Sequence, residues 1–269
     1  MDILTYGFMQ RAFLAVILVG LLCSTQSFFV VLNKLSFMGA GISHAILGGL
    51  ALGVLLGINP LYAGSIFAVI VALSIAYLSG RGKLEGDTVI GIFFATGMAL
   101  GITLISFKEG YYPELFSLLF GNVLMVTAQD IWFLGIVSVI ILLFIAILFK
   151  ELLAISFDEE MARANGLPYT LLYFSLLVSL ALTIVVSVRV VGVVLASALL
   201  VIPAATGLRI SKNYPSMLFI SIFVGVLSGL AGLILSYNYD IPSGAAIVLC
   251  SAGIFFISYF ARHFRHYGK

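Results

Sequence analysis

The fold class this sequence predicts is all-α: a polytopic bundle of transmembrane helices. Three observations predict it. Of 269 residues, 62% are hydrophobic and only 9% charged, with a mean hydropathy of +1.24, whereas soluble domains carry about a quarter of charged residues. No water-soluble fold hides that much apolar surface, so lipid is the solvent. Apolar runs close to the ~20 residues that cross a bilayer recur along the whole chain, and the punctuation between them is short: NKL, INP, SGRGKLEGD, KNYP and YNYDIPSG. Residues 1–269 therefore read as one integral membrane domain of about eight or nine spanning helices.

The first run, 13–32, follows a single basic residue, Arg11, and precedes no small-residue cleavage pattern, so it reads as a span rather than a removable leader. Span 37–57 carries the glycine-rich stretch SFMGAGISHAILGGLALG (36–53), and spans 60–78 and 88–107 come next. The run LFSLLFGNVLMVT (115–127) is too short to cross and reads as a re-entrant or interfacial piece. Span 130–149 leads into a polar segment, FDEEMARANGLP (157–168), and spans 169–188, 190–210, 214–236 and 241–261 complete the chain. Cys23 and Cys250 both lie inside apolar runs and read as small hydrophobes rather than a disulfide or a ligand pair.

Basic residues orient the bundle. With the tail ARHFRHYGK in the cytoplasm, that side collects Lys34, Arg81, Lys83, Lys150, Arg163, Arg209, Lys212, Arg262, Arg265 and Lys269. The opposite side holds Arg11, Lys108 and Arg189; ten against three is a strong positive-inside bias. The expectation is a multi-pass cell-membrane protein with a cytoplasmic C-terminus and, with nine spans, an outer N-terminus. GRGKLEGDT lacks the GxxxxGK[ST] spacing of a phosphate-cradling loop, and there is no Gx[ST]xG elbow and no HExxH helix. An enzyme is not expected. If ATP is used, another chain binds it, and no nucleic-acid partner is expected.

His44 is the one ionisable side chain well inside a predicted span. Such a residue costs roughly 2 kcal/mol or more at the bilayer centre and usually marks function. Residues four apart share a helix face, so Ala40, His44 and Gly48 form one stripe. Gly41, Ala45, Gly49 and Gly53 form the adjacent one, a run of small residues, with Ser43 beside His44, that lets another helix approach closely. The plain alternative is a neutral histidine hydrogen-bonded to a neighbouring helix. The sharper reading is a metal-handling position, because imidazole is a common metal ligand. One histidine makes no site alone, but two copies of the chain facing each other across a two-fold axis would bring two imidazoles together. An ion-coupled secondary transporter would carry intramembrane acids as relays, and none is seen.

The polar segment has the grammar of a short isolated helix. Asp158 is a good N-cap, Glu159 and Glu160 suit the positive first turn, Met161, Ala162, Arg163, Ala164 and Asn165 continue it, and Gly166 then Pro168 stop it. A plain helical loop is the alternative reading. Pro203, in LLVIPAAT, falls inside a span and predicts a kink, while Pro242, in DIPSG, fits the first turn of the last span. Both are candidate gating positions, set against fixed geometry alone. Asp240 and Glu114 fall on the outer side, where acids attract cations.

Several stretches together resemble the membrane permease subunits of the zinc/manganese ABC importers. The opening FMQRAFLAVILVGLLCSTQSFFVVLNKLSFMGAGISHAILGGLALG is similar to that family's start, where a basic residue and an LS-MG step precede an SHA signature. DTVIGIFFATGMALGI (87–102), FDEEMARANGLP (157–168), VRVVGVVLASALLVIPAAT (188–206) and DIPSGAAIVL (240–249) resemble, in order, its fourth helix, its coupling segment and its two late signatures. The resemblance implies a homodimer around a translocation path, two cytoplasmic ATP-binding subunits docked on residues 158–166, and an extracytoplasmic metal-binding protein that delivers the ion. It also implies that His44 matches the histidine of the family's intramembrane site. Many members carry an aspartate one turn earlier, in a GDxxSH pattern, where this chain has Ala40 in GAGISH. With that carboxylate missing, the donor set favours zinc as cargo over manganese or ferrous iron, since hard ions prefer oxygen. No tightly bound cofactor is expected.

Overall fold

A computed structural model describes residues 5–81, 86–107, 121 and 123–267. Among these, every regular element is helical. They are α1 (Gly7–Leu32), α2 (Met38–Leu56), α3 (Pro60–Arg81), α4 (Gly86–Ser106), α5 (Ala128–Ile147), α6 (Phe149–Phe157), α7 (Glu159–Ala164), α8 (Tyr169–Val191), α9 (Val193–Leu199), α10 (Ile202–Ile210), α11 (Tyr214–Tyr239) and α12 (Ser243–Tyr267). Nine stretches among the described residues are long and apolar enough to cross a bilayer, and each coincides with a run predicted above. The first begins at Gly7 rather than residue 13. In lipid an unpaired peptide group costs several kcal/mol, so these apolar runs have no spanning alternative to helix. Of the expected re-entrant piece, only a single 3-10 turn, Val123–Met125, lies within the described residues; Glu114 and Lys108 fall outside them.

Caps set several boundaries. Thr127 and Asp130 form a reciprocal capping box at the start of α5: the Thr127 side chain accepts from Asp130 N at 3.2 Å, and Thr127 N donates to Asp130 Oδ2 at 3.1 Å. Asn213 Oδ1 accepts from Ser216 N at 2.9 Å and starts α11. The alternation of the spans sorts the connections to two ends. At one end Asn33 Nδ2 donates to Ser156 Oγ at 2.9 Å, close to Lys34, Lys150 and Arg163 in sequence, so this is the basic end. At the other, Arg11 Nε donates to Val126 O at 3.1 Å, and Arg189 pairs with Asp130 at 2.7 Å.

α1 is the central helix, packed by α5, α8, α10 and α11. Its stretch Cys23, Ser24, Gln26 and Ser27 is fully buried although three of the four are polar. Gln26 Nε2 donates to Ser179 Oγ at 2.9 Å, and Cys23 Sγ lies 3.2 Å from Ser187 Oγ, both on α8. Both cysteines are free, as expected of small apolar fillers.

The seventh span is broken rather than kinked, which corrects the expectation for Pro203. α9 ends at Leu199, and Val201, at φ −126° and ψ −54°, separates it from α10. Pro203 sits in the first turn of α10, where a missing N–H costs nothing. The next donor in that turn is met from outside: Ala204 N donates to Ser27 Oγ at 3.1 Å. A side chain of the central helix thus caps a broken span in the membrane interior. Ser27→Ala leaves that donor buried and unpaired, and is expected to cost about 1–3 kcal/mol, read as a lowered thermal midpoint of the detergent-purified chain. An unchanged midpoint would remove this cap from the account. Pro242 lies one position before α12, its carbonyl accepting from Ala246 N at 3.0 Å. It therefore precedes the first turn instead of occupying it. The entry to α9 depends on Gly192, whose φ of 84° and ψ of 166° no residue with a side chain adopts readily.

Candidate functional site

His44 sits about a third of the way along α2, which α3 and α4 sandwich closely. The small residues on either side of it do the spacing. A Cβ on Gly48 would lie 2.9 Å from Gly97 O of α4, and one on Gly97 would lie 2.6 Å from Ala45 Cα. Gly41 meets Ile90 of α4, while Gly49 meets Phe67 and Gly64 of α3. The small residues divide between two neighbours: Gly41 and Ala45, with Gly48 of the His44 stripe, lie against α4, and Gly49 and Gly53 lie against α3. Ser43 is buried, its hydroxyl without a hydrogen-bond partner.

The imidazole is held on two sides. Nδ1 lies 2.8 Å from the Ala40 carbonyl oxygen one turn back, and the ring stands 4.7 Å from that of Phe94 on α4, inclined at 49°. A carbonyl only accepts, so in the neutral ring the proton belongs on Nδ1. Nε2 then keeps its lone pair, the form in which histidine ligates a metal, with the other nitrogen anchored by a backbone oxygen. His44 and Ala40 are only partly buried, so this face of α2 is not sealed by the chain itself. Among the described residues no group of three or more His, Cys, Asp or Glu side chains assembles.

At the basic end, α7 is the short helix predicted between Asp158 and Gly166. Asp158 Oδ1 accepts from Met161 N at 3.0 Å, Arg163 pairs with Glu159 at 2.8 Å, and Gly166, at φ 77°, ends it. One position turns the other way from the rest. Ala162 is 2% exposed and packs inward, while Glu159, Glu160, Met161, Arg163, Ala164 and Asn165 are all exposed. Behind α7 lies a pocket of about 360 Å³ against the end of α3, lined by Ser79, Glu159, Arg163, Tyr169 and Tyr173. The Arg163 guanidinium stands 5.0 Å over the Tyr169 ring, which stacks on Tyr173 at 5.7 Å.

A nine-span helix bundle with an intramembrane histidine and a capped helix at its basic end restricts the families it can join. The family model described as "ABC 3 transport family" matches residues 5–262. The chain belongs to the ABC 3 transport family. Among relatives, it is 37% identical over 259 residues to the manganese transport system membrane protein MntC of Halalkalibacterium halodurans, covering 96% of this chain and 89% of that one. It is 36% identical over 264 residues to the manganese import system permease protein ScaB of Streptococcus gordonii, covering 98% and 95%. The solved structure of PsaBC from Streptococcus pneumoniae in complex with Fab superposes with a TM-score of 0.84 at 36% identity, over 96% of this chain and 93% of that one. As a member of this family the chain is an integral-membrane transport component.

Two features of this family member escaped the sequence reading. Gln26 is a fully buried polar side chain of α1, and its Oε1 has no partner among the described residues; being uncharged, it gives no ionisation signal. The Arg189–Asp130 pair joins α8 to α5 at the end opposite α7, although the sequence shows only two separate charges at span ends. Asp240 lies at that same end in the αL conformation, φ 52°, lining a small pocket with Pro242 and Ser243.

Proposed function

We propose that this chain is the permease subunit of an ABC importer for a divalent transition-metal ion. Two copies enclose the path, ATP is hydrolysed on separate cytoplasmic subunits, and an extracytoplasmic binding protein delivers the ion. The observation that carries the reading is His44 itself: an imidazole within a spanning helix, on a face its own chain leaves open, with Nδ1 anchored and no partner on Nε2 among the described residues. Full-length similarity to permeases named for manganese supports it and ranks manganese first as cargo. Zinc is the second reading, favoured by one specific observation: the side chain one turn before His44 is alanine, so the path offers nitrogen without a neighbouring carboxylate. Ferrous iron stands third, in line with the "Probable iron transport system membrane protein" of Haemophilus influenzae, 38% identical over 256 residues. In this orientation the basic end and the C-terminus face the cytoplasm.

The test is ATP-driven uptake by the transporter reconstituted in vesicles, with radiolabelled manganese and zinc in competition. ATP-dependent accumulation of either ion supports the class, and the preferred ion orders the two readings. Accumulation without ATP would replace the class by a secondary transporter. The face of α7 supplies a further prediction. Met161 is 65% exposed, an apolar side chain on an otherwise polar knob, as a groove-filling contact requires. Met161→Asp is expected to reduce transport-coupled ATPase activity about tenfold or more while leaving the dimer intact, because truncating a buried anchor costs upwards of about 2 kcal/mol. Undiminished coupling in reconstituted vesicles would remove residues 158–166 from the ATPase interface. Substituting Ala162 would not make this test, since that side chain supports the knob from within.

A further inference from the structure

A groove of about 670 Å³ runs between α5, α6 and α11 at the basic end of the bundle. Its walls are apolar and face outward: Ile147 is 76% exposed and Phe219 74%, with Phe149 and Leu218 between them. Its rim is charged. Lys150 and Glu151, at the start of α6, both line it. Neither is in an ion pair among the described residues, and Glu151 Oε2 is sealed from solvent with no hydrogen-bond partner. The first turn of α6 favours a carboxylate there, so the group is held where it is while its charge goes unbalanced by the protein. An apolar trough that ends in one unpaired cation and one unpaired anion, at the depth where a spanning helix leaves the membrane, has the charge pattern of a zwitterionic lipid in mirror image.

We propose that this groove is a binding site for an aminophospholipid. An acyl chain lies along Ile147 and Phe219, the phosphate meets the Lys150 ammonium, and the headgroup's primary ammonium meets the Glu151 carboxylate at Oε1, the oxygen the protein does not enclose. An anionic lipid without an amine would satisfy Lys150 and leave Glu151 facing a like charge, and a quaternary ammonium has no N–H to donate to the carboxylate, which is why the site selects a headgroup bearing both a phosphate and a primary amine. α6 leads directly into the Asp158 cap of α7, so the bound lipid braces the root of the coupling segment. The proposal rests on the membrane-spanning fold and not on the identity of any transported ion.

The experiment uses the full chain in its assembled transporter, without ATP or metal. The complex is equilibrated in nanodiscs of equal parts phosphatidylethanolamine, phosphatidylcholine and phosphatidylglycerol, extracted into mild detergent, and analysed by native mass spectrometry for retained lipid. Phosphatidylethanolamine is expected to be retained about fivefold over phosphatidylcholine, the size of one partly screened charge pair. The near-isosteric Glu151→Gln is expected to abolish the preference over phosphatidylcholine, and Lys150→Gln to lower retention of both. Circular dichroism and elution profile establish that each variant is folded. Preferential retention of phosphatidylglycerol, or a preference unchanged in Glu151→Gln, would overturn the proposal. So would efficient disulfide cross-linking of Phe219→Cys between copies, because a second chain would then fill the groove.

Discussion

His44→Ala is expected to lower metal uptake by at least about tenfold, with normal insertion, dimerisation and ATPase assembly. The expectation follows from the ring's placement. Nδ1 is committed to the Ala40 carbonyl at 2.8 Å, and Phe94 packs one side of the ring, which leaves Nε2 as the nitrogen available to a ligand under the proposed function. Removing one ligand from a dehydrating ion costs on the order of 1.4 kcal/mol or more, a factor of ten. The contrasting arm is Ala40→Asp, which adds a hard oxygen on the same helical face and is expected to raise manganese transport relative to zinc. Uptake of both ions in competition reads both variants. Normal uptake by His44→Ala would reduce the imidazole to a packing residue satisfied by its own helix.

The second large effect is structural. Gly97→Val is expected to destabilise the chain by about 1–3 kcal/mol or more, since overpacked sites force backbone shifts. A Cβ at Gly97 would sit 2.6 Å from Ala45 Cα, which is backbone and has no rotamer to retreat into. In lipid, where apolar burial gives helices little reason to associate, this close approach is itself the attraction. Gly91, on the same helix, has open space where its Cβ would go, so Gly91→Ala is the control and is expected to be neutral. Thermal midpoints and yields of monodisperse protein in detergent measure the pair. Equal behaviour of the two variants would deny the α2–α4 contact its role.

The spans were legible in the sequence because lipid imposes one solution on a long apolar run, and length alone then counts the crossings. The His44 neighbourhood was legible because small residues at four-residue spacing have few other uses. Direction was harder to read. Ala162 is one small residue among several in EEMARA, and only the packing of α7 on its own chain decides that it turns inward. The break between α9 and α10 does not show as a kink at Pro203, since the residue that makes it tolerable is Ser27, 177 positions before the Ala204 N–H it caps. Gln26 and its α8 partners were invisible for a related reason: serines and threonines that bond across helices look, in one dimension, like those that bond their own backbone.

The Ala40–His44 hydrogen bond has a consequence for how such a path can evolve. The group that orients the ring is a main-chain oxygen, and no point mutation can delete it. The main-chain acceptor stays in place whichever side chain occupies position 40. Ring orientation and ligand number are thereby inherited separately. A descendant chain can gain or lose an acid at position 40, and with it the balance between hard and borderline ions, without first passing through a form in which the histidine points the wrong way.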